Sequence, residues 1–346
     1  APSSWRARNG AMGEPKPGID PLAALAAALE REELPADPAA AAGQVAAALV
    51  SRGAEGIAQF LALRSARTLL KLAPAETAPT LCSEAVVPRL LEVADDAALD
   101  EAVRTEALTC LVNVLFASGT GFVHFDAAQG LERITRMFKG ASPPLRLHRC
   151  ARILNIAVQH LETGRSRGMP GAKERLAGLV QDLSIASTTL LAYLVRRAPG
   201  SHSKYGLLLG SSDRLDLALE VLSLQFLLAA QLSPADLASD SPFAEAFTQL
   251  GLVLCELLLL PIDLPRAAEL KSRVVMVLSF MPPEYSNFLS ANAAFPAVVE
   301  VLERAIHATV LQNDTEASEG RIIPPLMVLS KAVEASPFAR AAIEEI

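Results

Sequence analysis

The residues spaced to do chemistry in this sequence are few, and they would do it by holding a ligand rather than by making or breaking a bond. Arg67 and Lys71 lie one helical turn apart and so project from one face of a predicted helix. Two readings stay open for them: cations offered to a ligand, or solvated charges on an exposed face. Asn113 interrupts an otherwise apolar run from Cys110 to Phe116. Its amide has two uses, bonding the backbone of a bound peptide or satisfying carbonyls of neighbouring helices, because a buried polar group needs partners. Arg152 and Asn155 share a face of a later helix and continue the series.

Covalent, nucleotide and metal chemistry find no purchase. There is no GxxxxGK[ST] run to cradle phosphates. Gly119 and Gly121 have no strand before them and no third glycine after them, which makes them a helix stop rather than a dinucleotide loop. The five histidines, His124, His148, His160, His202 and His307, include no HxxxH pair, so no metal site is expected. Ser201 and Lys204 match SxxK, but in a loop. The four cysteines, Cys82, Cys110, Cys150 and Cys255, are far apart and include no CxxC pair. They read as small core residues in a reducing compartment. The expectation is a protein without cofactor that acts by binding and is not an enzyme.

The elements that must position these side chains are helices throughout. Of the 346 residues 51% are apolar, 20% charged and 5% aromatic, with alanine and leucine dominant and no convincing strand or hairpin. A net charge of −7 with no long basic run argues against nucleic acid as a partner. The longest apolar run, Leu250 to Ile262, is broken by Glu256 and too short to span a bilayer, so no transmembrane segment is expected. The central stretch is Arg104 to Ser118, in which Leu108, Leu111, Val112 and Leu115 form a helical stripe. Similar stripes recur at Ile57 to Leu72, Leu147 to Leu161, Asp213 to Leu232 and Leu270 to Met281. From Arg67 to Asn113 is 46 positions and from Asn113 to Asn155 is 42, close to the roughly 40 to 47 of armadillo and HEAT repeats. The fold class predicted is an all-α, armadillo/HEAT-like α-solenoid, in which each repeat buries its face on the next. Residues 1–18 are read as a flexible tail and 19–346 as one repeat domain. Its last residues look like the middle of a solenoid, so a domain truncated at its C-terminal end is expected. Pro74 is read as the end of one helix and Glu162 to Lys173 as a polar loop.

Several of these stretches resemble the synembryn family, the resistance-to-inhibitors-of-cholinesterase proteins. These are guanine nucleotide exchange factors and folding chaperones for heterotrimeric G-protein α subunits. Glu106 to Ser118, EALTCLVNVLFAS, is similar to the family pattern ESLKCLCNLVLSS, and Leu63 to Lys71, LRSARTLLK, to LQSVRILSR. Further resemblances follow in order at Leu147 to Leu161, Asp216 to Leu232, Lys271 to Leu289 and Ile322 to Arg340. Leu227 and Phe280 depart from it, standing where the family tends to have asparagine. The resemblance implies a right-handed superhelix whose concave face holds the C-terminal helix of a Gα subunit, GDP-bound or nucleotide-free. Arg67 and Lys71 would then meet the carboxylate end of that helix, and Asn113, Arg152 and Asn155 would line the same groove. It also implies a monomer in the cytoplasm, recruited to the plasma membrane through its partner. The alternative is a generic armadillo scaffold or adaptor that binds extended peptides.

Overall fold

The computed structural model describes residues 19–51, 56–168, 171–195, 211–232, 244–261, 266–281, 289, 293–312, 315–335 and 337–344. The tail read at 1–18 and the loop holding Ser201 and Lys204 lie outside the described residues. Every regular element among the described residues is a helix. Contacts divide the chain into two compact units, Ala1–Arg133 and Ile134–Ile346, where the sequence reading had one domain over 19–346.

The first unit holds α1 (Ile19–Glu30), α2 (Pro38–Val50), α3 (Ile57–Leu72), α4 (Pro74–Leu81), α5 (Val86–Asp95), α6 (Glu101–Ala117) and α7 (Gly119–Ala127), and the boundary falls within α8 (Gly130–Lys139). Helices α1, α3 and α6 form one row, α1 packing on α3 and α3 on α6. Helix α2 backs α3 and touches α4 and α5, while α5 packs on α6 and α7. The short α4, then α5, then the long α6 make an armadillo-like triplet. Its buried stripe is the predicted one: Leu108, Leu111, Val112 and Leu115 are all buried.

Two predicted stops are corners between consecutive helices. Pro74 ends α3 and is also the first residue of α4, where a missing N–H costs nothing. Thr77 closes that corner, its Oγ1 donating to the carbonyls of Ala73 at 2.7 Å and Leu69 at 3.3 Å. Ser118 is the C-cap of α6 and the N-cap of α7, its Oγ accepting from the Thr120 N–H at 3.2 Å. The reading of Gly119 to Gly121 as a stop alone is therefore corrected, because the hydroxyl offers the chain a new helix start. Gly121 is needed for packing. A Cβ there would stand 2.8 Å from Val114 Cγ1 and 2.9 Å from the Val114 carbonyl oxygen.

The second unit holds α9 (Pro144–Ser166), α10 (Ala172–Val195), α11 (Ser212–Ala229), α12 (Ala244–Leu258), α13 (Ala267–Leu278), α14 (Phe295–Gln312), α15 (Thr315–Ala335) and α16 (Pro337–Glu344). Its row is α9, α11, α13 and α15, each packed on the next, and α10 packs on α9, α11 and α12. The stretch read as a loop from Glu162 is mostly helical, since α9 runs to Ser166 and α10 begins at Ala172. Helix α10 has the length and apolarity to cross a membrane, with half of that stretch buried against its neighbours. A buried polar seam holds it there, Gln225 Nε2 donating to Ser187 Oγ at 2.7 Å, Thr188 Oγ1 at 2.9 Å and the Ser184 carbonyl at 3.2 Å. Both units are built as the sequence predicted, from an all-α, armadillo-like succession of helices.

Candidate binding cleft

In the first unit the row α1–α3–α6 leaves an open cleft of ≈ 410 Å³. Its basic side comes from α3, where Arg64, Arg67 and Lys71 at i, i+3 and i+7 share one face. The end of α1 faces them with Glu30 and Glu32, and α6 contributes Thr109 and Asn113. Arg67, Lys71 and Asn113, singled out from the sequence, thus line one cavity.

Each cation already has a carboxylate. Arg67 Nη1 lies 2.9 Å from Glu106 Oε1 and 3.2 Å from Oε2, with 33% and 13% of the two side chains exposed. That pair is largely withdrawn from solvent and ties α3 to α6. Arg64 Nη1 lies 2.8 Å from Glu30 Oε1. Lys71 Nζ lies 3.9 Å from Glu32 Oε1, with 70% and 74% of these side chains exposed, so this ammonium is the readiest to exchange partners. Asn113 Nδ2 donates to the Arg67 carbonyl at 3.4 Å, the interhelix use of the amide, and the side chain remains half-exposed on the cleft. The hydroxyls of Thr68 and Thr109 donate back to the carbonyls four residues earlier, Arg64 at 3.0 Å and Thr105 at 2.9 Å, leaving oxygen lone pairs on the cleft wall.

Arg152 and Asn155 meet in the second unit on one carboxylate. Glu220, buried on α11, takes Arg152 Nη1 at 3.2 Å, and Asn155 Nδ2 donates to the Glu220 carbonyl at 3.1 Å and to its Oε1. His148 Nε2 stands 3.9 Å from the same group. Burial, joined by Arg149 and Arg152, holds the His148 imidazole below its ordinary value against the pull of Glu220 and Asp216. Asn155 is buried, so its amide serves the α9–α11 contact.

The remaining reactive groups are quiet. All four cysteines are free and buried. Cys110 Sγ donates to the Leu63 carbonyl at 2.9 Å, and burial pushes its thiol well above the ordinary range. Burial alone lifts Cys82 from 9.0 to about 11, and burial with Glu256 nearby does the same for Cys255. Among the described residues no group of three or more His, Cys, Asp or Glu is placed to hold a metal ion. What the cleft offers is hydrogen bonding and charge.

Sequence reasoning missed Arg64, Glu30, Glu32 and Thr109. Arg64 carried a usable signal, since it precedes Arg67 by three positions on the same helical face. The two glutamates carried none, because their place opposite α3 is set by how α1 docks.

No protein-family model and no curated protein matches this chain. Among solved structures it is similar to a designed armadillo repeat protein, YIII(Dq)4CqI, with 14% identity and a TM-score of 0.49 over 83% of this chain and 98% of that one. A second designed armadillo repeat protein, solved in complex with the peptide (KR)4, gives 15% identity and a TM-score of 0.46 over 86% and 99%. The class of the fold is all-α armadillo-like repeat, as its own helix order states.

Proposed function

We propose that this protein is a non-catalytic binding scaffold that holds an acidic segment of a protein partner in the α1–α3–α6 cleft. The observation that carries this is the cleft itself: half-buried Arg64 and exposed Lys71, two turns apart on α3, line it together with the Asn113 amide and the Thr109 hydroxyl. Cations spaced along a helix suit carboxylates, and the amide and hydroxyl suit backbone groups. A scaffold of this kind works by differential binding alone.

The finer reading is a Gα subunit as partner, bound through its C-terminal helix, with this chain acting as exchange factor and chaperone. Its support is that two of the stretches resembling the synembryn family, Leu63 to Lys71 and Glu106 to Ser118, fall on α3 and on α6 with its cap, and these helices build the cleft. A helix C-terminus also carries negative charge by its dipole and its carboxylate, which complements the α3 cations. Holding that helix would favour the nucleotide-free partner over the GDP state, so that GDP leaves. The test is retention of Gα on the immobilised protein, with the GTPase GDP-loaded or nucleotide-free, together with the rate of GDP release. Preferential retention of the nucleotide-free form and faster GDP release are expected. Equal retention, or none, of both forms rejects the Gα reading.

A further inference from the structure

The end of α1 breaks two local rules in the same place. Helix C-termini carry partial negative charge and favour cations, yet the last turn of α1 has no basic residue, and at its end Glu30, Glu32 and Glu33 outnumber the single Arg31. The chain leaves α1 through a Schellman motif, in which the Glu33 N–H bonds the Ala28 carbonyl at 3.1 Å and the Glu32 N–H bonds the Leu29 carbonyl at 3.0 Å. Glu32 therefore takes the left-handed position, with φ 60°, that glycine fills at least cost. Local conflicts of this sort mark places where another demand outweighs local stability.

That demand is visible across the cleft. Glu30 stands 2.8 Å from Arg64 and Glu32 stands 3.9 Å from Lys71. Glu33 turns aside to Arg31, with Nη2 to Oε2 at 2.9 Å, and does not line the cleft. Two of the three carboxylates are therefore spent on the two cations, half-buried Arg64 and exposed Lys71, that the binding reading assigns to the partner. Arg64 and Lys71 are seven residues apart, about 10 Å along the helix.

We infer that Glu30 and Glu32 are specificity-determining residues that occupy the α3 cations as stand-ins for the partner's carboxylates. This rests on the binding reading above and names how that site selects. A segment carrying two carboxylates about 10 Å apart exchanges for the resident pair and leaves the number of ion pairs unchanged. A neutral segment has no charge to offer in exchange and is refused. The resident glutamates thus weaken every ligand that must open these pairs, and only one that brings its own carboxylates recovers the loss, which is how a difference in affinity is kept.

The experiment titrates a helical peptide carrying glutamates seven residues apart, and its glutamine counterpart, against four proteins: wild type, Glu30→Gln/Glu32→Gln, Glu33→Gln and Lys71→Ala. Melting temperature is read beside each. The double variant is expected to bind the glutamate peptide roughly three- to tenfold more tightly, the sum of two solvent-accessible pairs released. Glu33→Gln, which removes one carboxylate of the same helix end outside the cleft, is expected to bind as wild type does. Binding seen only with the double variant also supports the inference. Unchanged or weaker binding by a folded double variant, equal tightening in Glu33→Gln, or no binding by any protein overturns it. If Lys71→Ala weakens the peptide while the double variant equals wild type, the cleft binds as proposed and only the role of the glutamates falls. Glu32→Gly serves as a further variant: it removes the carboxylate and relieves the left-handed backbone, so tighter binding with a higher melting temperature is expected, and unchanged affinity counts against the inference.

Discussion

Replacing Arg67 separates holding the fold from holding a ligand. Its guanidinium makes two contacts to Glu106, at 2.9 and 3.2 Å, and the carboxylate is only 13% exposed. Arg67→Ala strips this cation from a carboxylate with little access to water. Exposed pairs are worth about 0.2 to 1 kcal/mol, and breaking fully buried ones costs about 3 to 5 kcal/mol. A pair that is one-third open on one side belongs between these, at about 2 kcal/mol. Glu106→Gln should cost about 1 kcal/mol, because Arg67 can swing to solvent and the amide still accepts a hydrogen bond. At roughly 2 to 4 °C per kcal/mol, Arg67→Ala lowers Tm by about 4 to 8 °C. Lys71→Ala, whose ammonium is 70% exposed and 3.9 Å from its carboxylate, leaves Tm within about 1 °C. The assay is urea denaturation followed by circular dichroism on Arg67→Ala, Glu106→Ala and the double variant, which gives the coupling energy by a double-mutant cycle. Coupling below about 0.3 kcal/mol, with an unchanged Tm in Arg67→Ala, would refute the assignment of this pair to the α3–α6 contact.

Other outcomes follow from the same packing. Gly121→Ala places a Cβ against the Val114 carbonyl, which cannot rotate away, and should cost about 1 to 3 kcal/mol by thermal melting, while Gly43→Ala, with nothing within 4 Å, should be neutral or stabilising. Alkali should destabilise the fold. Cys82 and Cys255 have thiols raised from 9.0 to about 11, so the neutral form is favoured in the folded state, its contribution is complete below pH 9 and it is lost as pH rises from 9 to 11. Denaturation between these values should show a falling ΔG that Cys82→Ala/Cys255→Ala flattens. Glu220→Ala removes the carboxylate shared by Arg152, Asn155 and His148 and should cost about 3 kcal/mol, read as a lower urea midpoint.

The helical stripes were legible because each is long and periodic, and Leu108, Leu111, Val112 and Leu115 are buried as the spacing requires. The corners were not. Pro74 and Ser118 are stop signals and start signals alike, and only the docking of α4 and α7 shows that the chain resumes a helix at once. The cleft was half legible. Arg67, Lys71 and Asn113 fell on it because they share faces of α3 and α6, but their pairing to Glu106, Glu32 and the Arg67 carbonyl depends on contacts between helices that no local pattern records. Asn155 illustrates the same limit: a polar residue in an apolar face looks alike whether it awaits a ligand or, as here, bonds a neighbouring helix.

The most direct test of the binding account is fluorescence anisotropy of a labelled peptide of the Gα C-terminal helix, titrated with wild type and with Arg64→Glu/Lys71→Glu. The account predicts saturable binding by wild type that weakens with added salt. It predicts at least about a tenfold loss in the charge-reversed variant while the variant stays folded, since half-buried Arg64 and exposed Lys71 both line the cleft. Equal affinity for the two folded proteins, or no binding to wild type, would contradict it.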